Sequence, residues 1–339
     1  MNATDEDGTW TQTKALTVNN VAPTIALTGN LTVDEGSTFT LNLGAVADPG
    51  QDTPTSYTIS WRDGVVEVAN SLGDYTHVYA DGTTNRTITV LVTDEDGQHA
   101  NAGTHTVTVN NVAPAVVLTG ADQTAEGAAY ALSLAGSDPA GTADTLSYSI
   151  DWGDGSAAQV LTAVQLAALG GSVAHVFADD EDGVVNATGR TITVTVADED
   201  GGSSITTKSV TVNNVAPTAA LSGAATVAEA ATYTLAVGAV SDPGPDTRSG
   251  YAIDWGDGSV QSLTAAEWAA AAGSFSHAYA DGAMGGSARL ISVSATDEDG
   301  THLLGTQAVT VQNAAPIVVP TGAAATTEGA SYVLDLVGS

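Results

Sequence analysis

A short acidic sequence, Asp-Glu-Asp-Gly, recurs in this chain and holds the residues best suited to chemistry. Its four copies begin at Asp5, Asp94, Asp198 and Asp297, roughly a hundred residues apart. Grouped carboxylates are what Ca²⁺ binds in proteins, together with backbone carbonyls and water, although the spacing of an EF-hand is absent. Each copy is therefore either part of a calcium site or an ordinary turn, in which Asp bonds to its own backbone and Gly takes a positive φ.

Other oxygen-bearing side chains join each acidic turn if consecutive strands run in opposite directions. The incoming linker, the loop between the second and third strands and the loop before the last strand then lie at one end of the unit. The predicted ligand sets are Asn20, Asp48, Asp52, Asp94 and Asp96; Asn111, Asp138, Asp144, Asp198 and Asp200; and Asn214, Asp242, Asp246, Asp297 and Asp299. This convergence favours calcium, whereas any single one of these acids is more typical of a turn.

Five further markers keep the same order along the chain and establish an internal repeat. They are an early Glu (Glu35, Glu126, Glu229, Glu328), an Asp-Pro (Asp48, Asp138, Asp242), a Trp (Trp61, Trp152, Trp255), a His (His77, His175, His277) and a linker Pro (Pro23, Pro114, Pro217, Pro316). The predicted units are the end of a repeat at 1–20, full repeats at 21–111, 112–214 and 215–313, and the start of another at 314–339.

Apolar residues alternate with polar ones inside each unit, as in Ile88, Val90 and Val92. This period of two is typical of strands with one buried face. About seven short strands in each unit predict an all-β fold of tandem immunoglobulin-like sandwiches. The linkers contain Pro and lack Gly/Ser runs, so we expect an extended rod that advances about 35–45 Å per repeat.

The second and third repeats carry an insertion that the first lacks. Thr162 to Gln165 and Thr264 to Glu267 have capping-box spacing and are followed by Ala-rich residues and a Gly. The insertion predicts a short helix before the His-containing strand. Covering an edge or end of the sandwich is the expected role, rather than forming a ligand site.

The combination of motifs resembles the PKD domain, the β-sandwich of the polycystic kidney disease type. The second repeat carries it as Asp151-Trp152-Gly153-Asp154-Gly155, His175 with Phe177, Asp198 to Gly201, and Asn214 to Pro217. The first repeat departs from the pattern, since Arg62 and Asp63 replace Gly-Asp. The resemblance implies extracellular modules, common in large microbial surface proteins and as spacers in secreted hydrolases, some of which bind calcium near one end.

The charge balance narrows the range of partners. The chain has 339 residues, with 39 acidic and 7 basic side chains, a formal charge of −32, and no Cys. Nucleic acid and anionic membranes are poor partners for such a surface, and the negative charge favours bound divalent cations or a salt-rich medium. No apolar stretch reaches the length of a membrane helix, and disulfides are excluded as a source of stability.

Two functions of different class remain open. The first is a non-enzymatic structural module that spaces or assembles a stalk, fibre or matrix at a bacterial surface, with neighbouring repeats or other copies as partners. The alternative is an adhesin or enzyme-accessory module that binds carbohydrate or a surface protein. Three of the five Trp share the core register and no exposed aromatic row is visible, so the structural role leads. An enzyme is disfavoured, because no P-loop, Rossmann, zincin or triad pattern appears.

Overall fold

A computed structural model describes residues 1–50, 52–180, 186–315 and 317–338. It confirms the predicted all-β class: three tandem immunoglobulin-like sandwiches, the second and third with a short helix. The unit boundaries stay a prediction, and the marker Pro316 lies outside the described residues. No helix in the described part of the chain is long and apolar enough to span a membrane.

The first sandwich packs a three-stranded sheet on a five-stranded sheet. Strands β1 and β2 precede it, as a separate hairpin. The strands are β1 (Asn2–Asp5), β2 (Gly8–Thr11), β3 (Thr24–Gly29), β4 (Thr32–Asp34), β5 (Thr38–Ala47), β6 (Ser56–Ser60), β7 (Val66–Ala69), β8 (Gly73–Val78), β9 (Thr84–Asp94) and β10 (Gly97–Asn110). The sheets have the orders β3-β5-β8 and β4-β10-β9-β6-β7, and all pairs are antiparallel except β4 with β10.

The second sandwich repeats this arrangement with a helix added after its edge strand. Its elements are β11 (Ala115–Thr119), β12 (Gln123–Ala125), β13 (Ala129–Ser137), β14 (Ser147–Asp151), β15 (Gln159–Thr162), α1 (Ala163–Ala168), β16 (Ser172–Val176), β17 (Ala187–Ala197) and β18 (Ser203–Asn213). The sheet orders are β11-β13-β16 and β12-β18-β17-β14-β15, so each strand has the same neighbours as its counterpart in the first sandwich.

The third sandwich has the same two sheets and is followed by one further hairpin. The elements are β19 (Leu221–Gly223), β20 (Thr226–Ala228), β21 (Thr232–Val237), β22 (Gly250–Asp254), β23 (Val260–Thr264), α2 (Ala265–Ala271), β24 (Ser274–Ala278), β25 (Ser287–Thr296), β26 (Thr301–Gln312), β27 (Val318–Gly322) and β28 (Leu334–Gly338). The sheets are β19-β21-β24 and β20-β26-β25-β22-β23, and β27 pairs with β28.

Each sandwich has its own apolar core, built from the inward residues of its alternating strands. The repeated Trp lies in it: Trp61, Trp152 and Trp255 are at most 2 % exposed. The repeated His stacks on that Trp, with a ring-centroid distance of 4.7 Å for His77 on Trp61. These two marker residues therefore serve packing in every repeat.

The His also fixes the turn that follows the Trp. Its Nε2 lies 2.5 Å from an Asp63 carboxylate oxygen in the first repeat, and His175 with Asp154 and His277 with Asp257 repeat the pair at 2.6 and 2.8 Å. Arg62 occupies the position of a glycine in this turn and keeps the turn by adopting φ 69°. The departure of the first repeat from the motif thus leaves the fold intact.

The two helices begin as predicted. The Thr162 hydroxyl accepts a hydrogen bond from the Gln165 N–H, and the Gln165 side chain accepts one from the Thr162 N–H. Thr264 and Glu267 make the same capping box. Leu166 of α1 is buried in the core of the second sandwich, and Trp268 of α2 stacks on Tyr251 at 4.1 Å. Both helices therefore cover the sandwich beside its edge strand.

Candidate metal centre

A group of four acidic side chains joins the first sandwich to the second. Carboxylate oxygens of Glu35, Asp81, Asp144 and Asp200 lie within 4.8 Å of one another. Glu35 and Asp81 belong to the first sandwich, whereas Asp144 and Asp200 belong to loops of the second. The group can therefore form only when the two sandwiches are held end to end.

Local backbone bonds place Glu35 at this end of the first sandwich. It follows β4, and its N–H donates to the Asn110 carbonyl at the end of β10. Its carboxylate accepts a 2.7 Å hydrogen bond from the Val112 N–H in the linker. Burial raises the pKa of Glu35, and the hydrogen bond from Val112 opposes that effect. A side chain that is only 1 % exposed is thus kept where linker and next repeat meet.

Asp144 is the most deeply placed acid that the second sandwich contributes. It lies in the loop between β13 and β14, is 6 % exposed, and neither of its carboxylate oxygens has a hydrogen-bond partner among the described residues. Burial, with the charges of Glu35 and Asp138 nearby, raises its pKa to about 6. A buried carboxylate without a donor is costly, so this position favours a bound cation.

A second group of acidic side chains lies next to the first, and all its members belong to the second sandwich. Oxygens of Asp138, Asp144 and Asp198 are within 4.8 Å of one another. The Asn111 side chain donates a 3.1 Å hydrogen bond to Asp198. Four of the five predicted ligands of this repeat are therefore brought together, as the alternation of strand directions implied, while Asp200 joins the group with Glu35 instead.

The junction between the second and third sandwiches has two comparable groups. One contains Glu126, Asp242 and Asp246, and the other contains Glu126, Asp179 and Asp180. Asp246 is 6 % exposed, and both its oxygens are without a hydrogen-bond partner in the described part of the chain. Burial, together with the charges of Glu126 and Asp242, raises its pKa to about 7. Arg248 lies 3.0 Å from Asp242 and gives this junction a basic partner, whereas no ion pair with a basic side chain is present at the first junction among the described residues.

The other predicted ligands of the third repeat lie at the same end of the sandwich without joining these groups. Asp297 accepts hydrogen bonds from the backbone of its own turn and lies 3.3 Å from His302. Asp299 is 4 % exposed and accepts a 2.6 Å bond from the Asn186 N–H of the second sandwich. Asn214 is half-buried, and its side chain has no hydrogen-bond partner among the described residues.

The predicted ligands of the first repeat form no group of three among the described residues. Asp48 and Asp94 accept hydrogen bonds from the backbone of their own turns, and Asp94 also contacts His99. Asn20, Asp52 and Asp96 line one cleft of about 450 Å³. At this end the structure shows turn formation for two of the acids and proximity to a common cleft for the other three residues. Their role as ligands stays a prediction.

Five residues of these groups were not predicted as ligands: Glu35, Asp81, Glu126, Asp179 and Asp180. The signals were present in the sequence. Glu35 and Glu126 are the early Glu of their repeats, and Asp81 and Asp179 follow an Ala at equivalent positions in the repeat. All of them lie at the far end of one sandwich, so only the placement of the next sandwich shows what they meet.

Oxygen atoms are the donors that these groups offer. Carboxylates with one amide suit a hard divalent cation and not a soft metal, which would select thiolates or imidazoles. The buried acidic clusters at both junctions can therefore bind a metal ion.

No protein-family model matches the chain, and no curated protein matches it either. Solved structures that resemble it include a tetra-tandem repeat from the extending region of a large adhesion protein, at 14 % identity over 92 % of this chain and 80 % of that one, with a TM-score of 0.36. Fibronectin(III)-like modules of Clostridium thermocellum CbhA match at 16 % identity over 59 % and 95 %, with a TM-score of 0.23. Three domains of the outer capsid protein Hoc of bacteriophage RB49 match at 15 % identity over 86 % and 99 %, with a TM-score of 0.24. These likenesses are too distant to assign a family or a role.

Proposed function

We propose that this chain is a non-enzymatic spacer of PKD-type repeats from a secreted or cell-surface bacterial protein, in which calcium at the junctions makes a rod of the tandem sandwiches. The observation that carries the proposal is the group formed by Glu35, Asp81, Asp144 and Asp200, because two sandwiches contribute to it. An ion held there ties one repeat to the next.

Calcium suits the site better than other common cations. It takes 6–8 oxygen ligands in flexible geometry, and Asn111, backbone carbonyls and water can complete a shell begun by carboxylates. Mg²⁺ requires a tighter octahedron and retains its water. Extracellular modules bind calcium at about 10⁻⁴–10⁻³ M, which fits a surface protein that meets calcium in its medium.

The aromatic residues support a spacer over a carbohydrate-binding module. Trp61, Trp152 and Trp255 are buried in the cores, and Trp268 stacks against Tyr251. A sugar-binding face needs such rings presented to solvent. The chain uses four of its five Trp for packing instead.

Calorimetry and small-angle scattering of the whole chain test the proposal. Calcium at a hundredfold excess over its Kd should add about 2.7 kcal/mol for each independent site. We expect excess chelator to lower the melting temperature and to broaden the distribution of particle lengths, with recovery in calcium but not in equimolar Mg²⁺. An unchanged melting curve and an unchanged maximum dimension on chelation would overturn calcium as the stiffening agent, and a globular radius of gyration would overturn the rod.

A further inference from the structure

The two groups of carboxylates at the first junction share one residue. Asp144 belongs both to the group that spans the sandwiches and to the group with Asp138 and Asp198. A carboxylate has two oxygens, and those of Asp144 are buried and without a hydrogen-bond partner among the described residues. Asp144 can therefore give one oxygen to an ion on each side.

The charge at this junction favours more than one divalent ion. Six carboxylates gather there, those of Glu35, Asp81, Asp138, Asp144, Asp198 and Asp200. None of them is ion-paired with a basic side chain in the described part of the chain. One divalent ion would leave most of this charge uncompensated in a partly buried place, where charges of one sign repel strongly.

The second junction reaches the same arrangement from different residues. Glu126 is the shared carboxylate, between the group with Asp242 and Asp246 and the group with Asp179 and Asp180. One of its oxygens accepts a 2.8 Å hydrogen bond from the Val215 N–H. The shared residue is now supplied by the preceding sandwich rather than by the following one. Both junctions therefore have the same arrangement, in which one carboxylate belongs to two groups of acidic side chains.

We propose that each of these two junctions holds a pair of calcium ions bridged by one carboxylate, Asp144 in the first junction and Glu126 in the second. The inference rests on the proposed function and adds the number of ions and the residue that couples them. At the first junction, the ion among Asp138, Asp144 and Asp198 lies within the second sandwich and orients Asp144. The ion with Glu35 and Asp81 then locks the first sandwich to that oriented carboxylate, so the two ions bind cooperatively.

Calcium content of the full-length chain tests the bridge. Native mass spectrometry in calcium acetate would count the ions in wild type and in the isosteric variants Asp144→Asn, Asp138→Asn and Asp81→Asn. At a calcium concentration far above the wild-type midpoint, we expect Asp144→Asn to lose two ions. The other two variants should each lose one ion, because each removes a ligand of one group only and the remaining group is still filled at this concentration. Glu126→Gln should lose two ions from the second junction. Asp122→Asn, at an exposed acid paired with Lys208 on a strand face, is the matched control and should lose none.

A loss of one ion or none in Asp144→Asn, with a wild-type circular dichroism spectrum, would overturn the bridge. These measurements separate failure of the bridge from failure of the proposed function. If chelation destabilises the wild type but Asp144→Asn loses a single ion, calcium stiffens the rod without a bridged pair. If the wild type binds no calcium, both proposals fall.

Energy transfer between bound lanthanide ions gives an independent test that uses the wild-type chain and needs no substitution. Tb³⁺ and Eu³⁺ loaded together on the wild-type chain should shorten the Tb³⁺ emission lifetime, since transfer between ions that share a carboxylate is efficient. The lifetime should return to its Tb³⁺-only value when La³⁺ replaces Eu³⁺. An unchanged lifetime in the mixed sample would show that each junction holds a single ion.

Discussion

The Glu35 carboxylate accepts a 2.7 Å hydrogen bond from the N–H of Val112, so a side chain near the start of the first sandwich holds the linker to the second. Glu126 and Val215 repeat this contact at 2.8 Å, and Glu229 and Ala314 repeat it at 2.9 Å. At both described junctions the same Glu also meets acids of the following sandwich. This residue therefore combines two tasks, fixing the linker and presenting a charge to the next repeat.

Two substitutions at Glu35 separate these tasks. Glu35→Gln keeps an acceptor for the Val112 N–H and removes the charge, so we expect it to be at least as stable as wild type in chelator and to gain less from calcium. Glu35→Ala leaves that N–H without its partner, which costs about 1–3 kcal/mol with or without calcium. Calorimetry in both conditions distinguishes the two. A wild-type calcium response in Glu35→Gln would show that Glu35 is not a ligand.

The close approach of consecutive sandwiches depends on a glycine after the Glu. Gly36 has φ +68°, and a Cβ there would lie 2.6 Å from the carbonyl oxygen of Pro139 in the next sandwich. We expect Gly36→Ala to lose about 1–2 kcal/mol through backbone strain and further stability at the junction. Gly170→Ala is the matched control, because Gly170 has φ +70° and nothing within 4 Å of a Cβ.

Chemical denaturation and scattering check this pair of variants. Only Gly36→Ala should change the maximum dimension of the molecule, since only its Cβ would meet another sandwich. Equal stability losses and unchanged scattering in both variants would show that the Pro139 contact does not set the junction. The third sandwich already carries Ala230 at the equivalent position, with φ 58°, so the backbone itself accepts a Cβ there.

Replacing Arg62 with glycine should stabilise the protein, in contrast to Gly36→Ala. It holds φ 69° in a turn where the other sandwiches have Gly153 and Gly256 at φ 74° and 76°. A left-handed conformation destabilises the folded state of a non-glycine residue by about 1–2 kcal/mol, and a glycine removes this strain. The glycine also makes the unfolded chain more flexible, which offsets part of the gain in stability. We therefore expect Arg62→Gly to raise the free energy of unfolding by about 0.5–1 kcal/mol in urea titrations. Arg62→Lys keeps the charge and the strain, and should not raise it.

Much of the fold could be predicted from the sequence because its signals are local. Alternation such as that of Ile88, Val90 and Val92 sets which face of a strand is buried, and the Thr162–Gln165 spacing places a helix start. The cluster of Asp138, Asp144 and Asp198 also follows from strand direction within one sandwich. The role of Glu35 could not be read in this way. Its partner Asp144 belongs to another sandwich, and the relative placement of two sandwiches is not encoded in either one's periodicity.

Acid should destabilise the protein through the turn that follows each Trp. Burial raises the pKa of Asp154, but hydrogen bonds from Ser156 and His175 outweigh it and bring the pKa down to about 2. Asp257 also falls to about 2, because hydrogen bonds from His277 and Ser259 outweigh its burial. The unfolded chain binds these protons near pH 4, so the stability is complete above about pH 4 and is lost as the pH falls toward 2. Each group contributes on the order of 2 kcal/mol.

In calcium-free protein, the pKa shifts of the carboxylates at the junctions have the opposite effect on stability, which they increase at low pH. With pKa values raised to about 6 for Asp144 and about 7 for Asp246, the folded state binds protons that the unfolded state releases. Their contribution is complete below about pH 4 and is lost as the pH rises through 6–7. Melting temperatures in chelator should therefore peak near pH 4, and calcium should flatten the neutral side only. Asp154→Asn should flatten part of the acid side, and a chelated protein most stable at pH 7–8 would contradict the prediction.

The two junctions should differ in their dependence on calcium. Arg248 lies 3.0 Å from Asp242, a buried acid of the second junction, and His302 lies 3.3 Å from Asp297 at the same end. The six carboxylates of the first junction have no such partner among the described residues. Without an ion, repulsion is therefore less compensated at the first junction, and the linker there should open first.

Hydrogen exchange on the whole chain, followed by mass spectrometry, can report both linkers in one sample. On titration with chelator, amides at 110–113 should lose protection at a higher free calcium concentration than amides at 213–216. Arg248→Gln removes the built-in cation and should bring the second linker to the behaviour of the first, while Lys208→Gln, which removes a surface partner of Asp122, should change neither. Simultaneous loss of protection at both linkers in the wild type, unaltered in Arg248→Gln, would show that Arg248 does not substitute for an ion.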